Sequence, residues 1–226
     1  VINNEFGSAL DLSDQNGDGI LDVVSRQAQG LAAIFQGDGT GSFQKVAEAE
    51  VSSTGSTDLL TADFDNDGVP DVLTSSTDEI TLAQGLVGGG FLVGPRVEPV
   101  SGSPASLALG NVTGGSQPDL VVKGSSQVHI AEGTGPGVFA PGTNLPMTGS
   151  GLKLSDLNAD GLLDLVTSLQ IRLNQGGTGF GDAITLPVGS QPREVEVVNF
   201  AGNSSLDLIV TNFASDNVSL LTGDGA

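Results

Sequence analysis

The stretch Ser13-Asp14-Gln15-Asn16-Gly17-Asp18-Gly19-Ile20-Leu21-Asp22-Val23-Val24 decides how the rest of the chain is read. It returns as ADFDNDGVPDVL at 62–73 and as SDLNADGLLDLV at 155–166. Weaker copies are GNVTGGSQPDLVV at 110–122 and NFAGNSSLDLIV at 199–210. The closing aspartates are Asp22, Asp71, Asp119, Asp164 and Asp207, spaced 49, 48, 45 and 43 residues apart. A period of roughly 40–50 residues is that of propeller blades.

The residues around each copy repeat as well. Four positions before the loop stand Leu10, Leu59, Leu107, Leu152 and Val195; two positions before it stand Leu12, Thr61, Leu109, Leu154 and Val197. Alternation with period 2 marks a half-buried strand. Apolar pairs follow each closing Asp, from Val23-Val24 to Leu208-Ile209, and read as a second strand. A third strand is expected to end at Gly37, Gly85, Gly133, Gly176 and Gly223. It would place Ile34, Leu82, Ile130, Leu173 and Leu220 three residues before the Gly. Phe43, Phe91, Phe139 and Phe180 follow that turn, and a looser fourth strand comes next, as in QKVAEAEV and GDAITLPV. No stretch has a useful length of helical periodicity.

The expected fold is therefore all-β: a β-propeller of five four-stranded blades in a single domain, 1–226. The repeats run approximately over 8–51, 57–100, 105–147, 150–188 and 193–226. One such sheet cannot bury both faces, whereas sheets packed in series bury each other's. The fifth unit stops after its third strand, and Val1–Phe6 could supply the missing fourth and close the ring. The rival is a slice of a larger propeller; seven blades would need about 315 residues. The start at Val1, without Met or a signal-like segment, points to a processed or excised piece.

Three loops fit D-x-[DN]-x-D-G-x-x-D. They are Asp14, Asn16, Asp18 and Asp22; Asp63, Asp65, Asp67 and Asp71; and Asp156, Asn158, Asp160 and Asp164. Hard oxygen donors at alternate positions of a tight loop suit Ca²⁺. The backbone carbonyls of Ile20, Val69 and Leu162 can add an oxygen to each, giving about three ions per chain. Position 12 holds Ser25, Thr74 or Thr167 rather than the Glu of an EF-hand, and strands rather than helices flank the loop. Mg²⁺ fits less well because it demands a strict octahedron with retained waters. The bland alternative is that Asp, Asn and Gly merely favour turns. Three loops at one place in the repeat, with carboxylates that repel without a cation, weigh against it. Units three and five keep only Asp119 and Asp207 as acids, so no strong metal site is expected there. Those two are expected to hydrogen-bond the turn backbone.

The composition narrows the function. Lys and Arg total 7 against 27 Asp and Glu, a net charge of −20. Such a chain is a poor partner for nucleic acid or an anionic membrane. No apolar run approaches the roughly 18 residues of a membrane span. Without Cys, and with one His, thiolate zinc sites, cysteine nucleophiles and multi-histidine centres are excluded. His129 alternates with Val128 and Ile130 and reads as a blade-surface residue, since no G-x-S-x-G motif accompanies it. Glu48, Glu50, Glu98, Glu132, Glu194 and Glu196 read as solvated charge, so no catalytic residue is assigned.

With its apolar pair, following strand and GDGTGSF at 37–43, the loop resembles the FG-GAP/VCBS repeat family, found in integrin α-subunit heads and bacterial surface proteins. Phe91 with Gly94-Pro95, and Phe139 with Pro141, resemble the family's Phe…Gly-Pro segment. The resemblance implies a propeller with Ca²⁺ between a blade's first two strands and extracellular adhesion or ligand binding. The expected function is a non-enzymatic, calcium-stabilised, secreted or cell-surface interaction module with a protein or glycan ligand. Self-association as a subunit of a surface layer or fibre is one alternative. A lectin-like propeller is the other, although the chain has no Trp or Tyr to stack on a sugar.

Overall fold

The computed structural model describes residues 9–27, 30–51, 58–76, 79–97, 104–176 and 179–224. These residues form strands, turns and bends. Sheet one contains β1 (Leu10–Ser13), β2 (Asp22–Arg26), β3 (Leu31–Gly37) and β4 (Phe43–Glu50). Sheet two contains β5 (Asp58–Ala62), β6 (Asp71–Ser75), β7 (Ile80–Gly85) and β8 (Phe91–Val97). In both, neighbours in sequence are neighbours in space and run antiparallel.

Sheet three is built from β9 (Ser106–Gly110), β10 (Asp119–Lys123), β11 (Gln127–Ala131) and an outer β14 (Thr143–Pro146). Between β11 and β14 the chain makes an extra hairpin of β12 (Gly133–Gly135) and β13 (Val138–Phe139). Sheet four holds β15 (Lys153–Ser155), β16 (Asp164–Val166), β17 (Gln170–Arg172) and β18 (Ile184–Thr185). In GDAITLPV, then, only two residues pair as a strand. Sheet five has three strands among the described residues: β19 (Pro192–Val198), β20 (Asp207–Asn212) and β21 (Asn217–Leu221). The proposed closing strand, Val1–Phe6, lies outside the described residues, as does Glu98.

The chain forms two compact units. One is Val1–Leu107 with Gly135–Val138, the other Ala108–Thr134 with Phe139–Ala226. Within each, successive sheets pack face to face in one sense. The leading face of a sheet carries the residue just after its closing Asp, and the trailing face carries the next. In the first unit, trailing Val24 and Ala32 of sheet one meet leading Leu59, Val72 and Ala83 of sheet two. In the second, trailing Val121, Val128 and Ile130 meet leading Leu152 and Leu165. Trailing Val166 and Ile171 then meet leading Val195, Leu208 and Val210. Burying one such side chain contributes about 1.5–3 kcal/mol, so these apolar layers are the main cohesive force.

First strands of successive sheets are also tied. The Asp11 carboxylate accepts from the Thr61 N–H at 2.8 Å and from its hydroxyl at 2.9 Å. The Leu107 N–H donates to Asp58 at 2.8 Å, and Lys153 pairs with Glu196 at 2.8 Å.

Sheet four corrects the expected register. Residue 24 pairs with Ile34 in sheet one, and its counterpart Val166 pairs with Ile171, not Leu173. The counterpart of Gly37 is thus Asn174, two residues before Gly176. Phe180 bridges to Asn174 just as Phe43 pairs with Gly37 and Phe91 with Gly85. The cause is a short second hairpin, closed by Thr167 N–H to Gln170 C=O at 2.8 Å.

Candidate metal centre

Each loop joins the first and second strands of its sheet. The three acid loops share one backbone. Their fourth residue is left-handed in each, with φ of 76° at Gly17, 60° at Asn66 and 59° at Ala159. Their sixth residue is Gly19, Gly68 or Gly161, with φ of 83°, 88° and 88°, where glycine is the unstrained choice.

The first acid organises this turn. One oxygen of Asp14, Asp63 and Asp156 accepts the N–H of Asp18, Asp67 and Asp160, each at 3.1 Å. Its other oxygen accepts the glycine N–H at 2.8, 3.0 and 2.9 Å. The acid at the fifth loop position, Asp18, Asp67 or Asp160, then accepts the N–H two residues on, that of Ile20, Val69 or Leu162, at 2.8 to 2.9 Å. The carbonyls expected as extra ligands therefore belong to residues whose own N–H groups are already held by the loop.

The closing Asp has a role that sequence spacing showed only in part. In all five units one oxygen accepts from the loop's second residue: Gln15, Phe64, Val112, Leu157 or Phe200, at 2.8 to 2.9 Å. The other accepts from the end of the third strand: Gly37, Gly85, Gly133, Asn174 or Gly223, at 2.8 to 3.0 Å. The side chain clasps loop to sheet. It was expected in this part only for Asp119 and Asp207, and it acts so in every unit. An ionised carboxylate has about four acceptor positions, so two backbone bonds leave it able to ligate a cation as well.

The clasp explains the glycine beside it. A Cβ at Gly85 would stand 2.3 Å from the Pro70 carbonyl oxygen, and one at Gly223 would stand 2.1 Å from that of Leu206. Asn174 fills this place in sheet four by a different bonding scheme. Its amide donates to the carbonyls of Leu163 at 3.1 Å and Val112 at 2.9 Å. Its role escaped the sequence reading because Gly176 offered a false landmark.

The second loop concentrates most charge. One oxygen from each of Asp63, Asp65 and Asp71 lies within 4.8 Å of the others, which no other acid or histidine triplet achieves among the described residues. Gln84 on β7 donates to Asp65 at 2.8 Å and steadies it. In the other two loops Asn16 and Asn158 replace that acid, and their amides face Asp18 and Asp160 at 2.8 and 2.9 Å.

Burial raises the Asp71 carboxyl above its ordinary range; the N–H groups of Gly85 and Phe64 oppose this, and the charges of Asp65 and Asp67 add to it. Asp164 is raised by burial too, against the N–H groups of Asn174 and Leu157 and with Asp160 and Asp156 adding. The Gly19 N–H holds Asp14 below its ordinary value, with burial opposing and other loop N–H groups assisting. A divalent cation would relieve the repulsion that helps raise Asp71 and Asp164, so the donor set fits a hard ion.

The two amide loops are sealed otherwise. Asn111 accepts the Gly114 N–H at 2.8 Å and donates to the Gly115 carbonyl. Asn199 likewise accepts from Gly202 at 2.8 Å and donates to the Asn203 carbonyl. One amide thus supplies both a donor and an acceptor to its own turn. His129 lies on β11, where its Nδ1 meets the Asn144 Oδ1 at 2.9 Å across to β14. Glu48, Glu50, Glu132, Glu194 and Glu196 are exposed.

Tandem antiparallel sheets, four of them four-stranded, each with a clasped loop between its first two strands, define an all-β repeat protein. Residues 14–74 match the model of the FG-GAP-like repeat family. No curated protein matches the chain significantly. Among solved structures, a lectin of Agrocybe aegerita recognising non-reducing terminal N-acetylglucosamine aligns at TM-score 0.63 and 20% identity. The alignment covers 96% of this chain and 63% of the lectin. The biofilm matrix protein Bap1 of V. cholerae aligns at 0.60 and 15%, over 99% of this chain and 39% of that one. The Tc holotoxin pore of Photorhabdus luminescens aligns at 0.58 and 22%, over 100% and 12%. The chain spans less than two thirds of each, and the likeness is one of fold.

Proposed function

We propose that the chain is a non-catalytic, calcium-stabilised interaction module that works outside the cell, with about three Ca²⁺ ions and a protein or glycan ligand at its loops. The observation behind this reading is the threefold recurrence of one loop backbone with oxygen donors at alternate positions, among them the Asp63, Asp65 and Asp71 cluster. Extracellular modules bind Ca²⁺ with Kd of about 10⁻⁴–10⁻³ M, which fills them outside cells and leaves them empty in resting cytosol. The ion's role is structural: it neutralises the loop carboxylates, and its binding adds to folding stability. The loop carbonyls of Ile20, Val69 and Leu162 complete the sites. The sheets form blades of a propeller, with five in a closed ring as the arrangement that the repeat count favours. Thermal melts test the metal: a chelator lowers the melting temperature and millimolar Ca²⁺ restores it. Equal melting temperatures in both would remove calcium from the reading.

One feature favours a glycan as the ligand. An open pocket of about 400 Å³ is lined by Arg193, Thr211, Asn212, Phe213, Asp216 and Asn217. Phe213 is exposed, with the Arg193 guanidinium 5.2 Å from its ring centre. An aromatic ring among amides and charges can stack on a sugar and bond its hydroxyls. A glycan array read with the chain and with Phe213→Ala tests it; no glycan lost on substitution would leave a protein ligand.

A further inference from the structure

Phenylalanine fills the same place in sheet after sheet. Phe43, Phe91 and Phe180 each stand six residues after Gly37, Gly85 and Asn174, and each pairs or bridges with that residue. Phe43 packs on Val23, Ala33 and Phe35 of the leading face of its own sheet. Phe91 joins the layer of trailing Val24 and Ala32 with leading Leu59 and Val72. Phe180 joins the layer of trailing Val121 and Val128 with leading Leu165, beside Val112 and Leu163. Between sheets four and five the wall is present and the ring is not. The position six residues after Gly223 falls past Ala226, and that layer holds no aromatic side chain among the described residues. An open pocket of about 190 Å³ lies there instead. Leu157, Leu206 and Leu208 line it, and they are the counterparts of Val112, Leu163 and Leu165 around Phe180. Gly223 lines it too, and all of these residues belong to the second unit. Leu173 adds a second, independent sign. One residue before the end of the third strand the other sheets carry Gln36, Gln84, Glu132 and Thr222; only sheet four is apolar there, and its Leu173 lines the pocket.

We propose that this pocket is a socket for the phenylalanine ring of an extended peptide from a separate polypeptide. The peptide begins beside Gly223 as β4 begins beside Gly37 and β8 beside Gly85. An apolar cavity of about 150 Å³ is already large enough to bind benzene, so the ring fits. Main-chain bonds along the sheet edge give such a peptide affinity, and the socket chooses its side chain. The net charge of −20 favours a basic peptide over an acidic one. The chain's own Phe6 is out of step for this place. It stands four residues before Leu10, whereas Phe43, Phe91, Phe139 and Phe180 stand 16, 16, 13 and 15 residues before Leu59, Leu107, Leu152 and Val195. Val1–Phe6 could close a ring and still leave the socket to another ring. None of this depends on the calcium reading or on the pocket at Phe213.

A synthetic peptide tests it. The probe is Phe-Leu-Val-Gly-Pro-Arg-Val, the sequence of residues 91–97, which carries the ring and pairs along the third strand in sheet two. Its control has Ala in place of the Phe. Calorimetric titration measures binding to the whole chain, and the methyl NMR signals of Leu157, Leu206 and Leu208 locate it. The probe is expected to bind and to shift those signals, and the control to bind at least about tenfold more weakly. Leu173→Gln, which restores the residue of sheets one and two, should weaken the probe with its melting curve kept. Phe6→Ala should bind the probe as the wild type does. No binding, equal binding of probe and control, shifts confined to other residues, or an unaffected Leu173→Gln each overturn the proposal. Binding gained only in Phe6→Ala overturns it as well, because the chain's own Phe6 would then hold the socket.

Discussion

The second and third loops hold the same place in consecutive sheets and solve one problem in two ways. The loop at 63–71 gathers four carboxylates, three of them with oxygens within 4.8 Å. The loop at 111–119 keeps one acid and seals its turn with the Asn111 amide, which both accepts and donates. A carboxylate can only accept, so Asp63 holds the N–H groups of its turn but bonds none of its carbonyls. In the proposed calcium sites a cation would take the place that the Asn amide fills in the third loop. The comparison separates what the clasp does in every unit from what a metal would add in the three acid loops.

The largest effect is expected from disabling all three acid loops. Asp18→Asn, Asp67→Asn and Asp160→Asn together keep an oxygen for the Ile20, Val69 and Leu162 N–H groups but remove a charge from each site. At calcium about tenfold above Kd, three filled sites stabilise by roughly 4 kcal/mol. The triple variant should therefore lose a calcium-dependent rise in melting temperature of about 10 °C. A rise as large as the wild type's would move the ions elsewhere.

Next in size is the clasp. Asp119 is fully buried and accepts three backbone N–H groups and the Thr113 hydroxyl. Asp119→Ala should cost roughly 3 kcal/mol in denaturant unfolding, by the same amount with and without calcium. A calcium-dependent loss would mean that the amide loop also holds an ion. Smaller still is Asp65→Ala. It should lower the calcium count by one and the calcium-dependent stabilisation by about 1.4 kcal/mol, whereas Thr113→Ala leaves both unchanged.

The pH dependence is the subtlest prediction. Asp71 and Asp164 have folded-state pKa values raised above 3.8, chiefly by burial. The native, ion-free protein takes up these protons before the unfolded chain does. Acidification from neutrality towards 3.8 therefore costs it nothing at these two residues. With calcium present the same protons compete with the ion, so the calcium-dependent stabilisation shrinks on acidification, starting above pH 3.8. Asp207, held low chiefly by the Ala201 N–H against the opposing effect of burial, behaves differently. Its contribution is complete above the unfolded value and lost only as pH falls through its depressed folded value. Melting temperatures with calcium and with chelator, followed downward in pH, should converge; parallel curves would count against the loops.

Much of this was legible in the chain. Period-2 residues such as Leu59 and Thr61 placed the first strands, and the 49-residue recurrence of Asp22 placed the sheets. The three acid loops share one turn backbone because turn geometry is local, and of the expected ligands Asp63, Asp65 and Asp71 bring oxygens within 4.8 Å of one another. Asn174 was not legible, since a hairpin shortened in sheet four shifts the register by two and pairing settles it only in three dimensions. Nor was the full extent of the clasp, because an Asp that bonds the backbone and an Asp that binds metal look alike in a motif. The tie from Asp11 to Thr61 joins residues 50 apart and follows from sheet packing alone.

Titration of the metal-free chain with calcium, with the bound ion counted per mole of protein, tests the division of the loops most directly. The account predicts three ions, falling to two with Asp65→Ala. Five ions, or none, would contradict it.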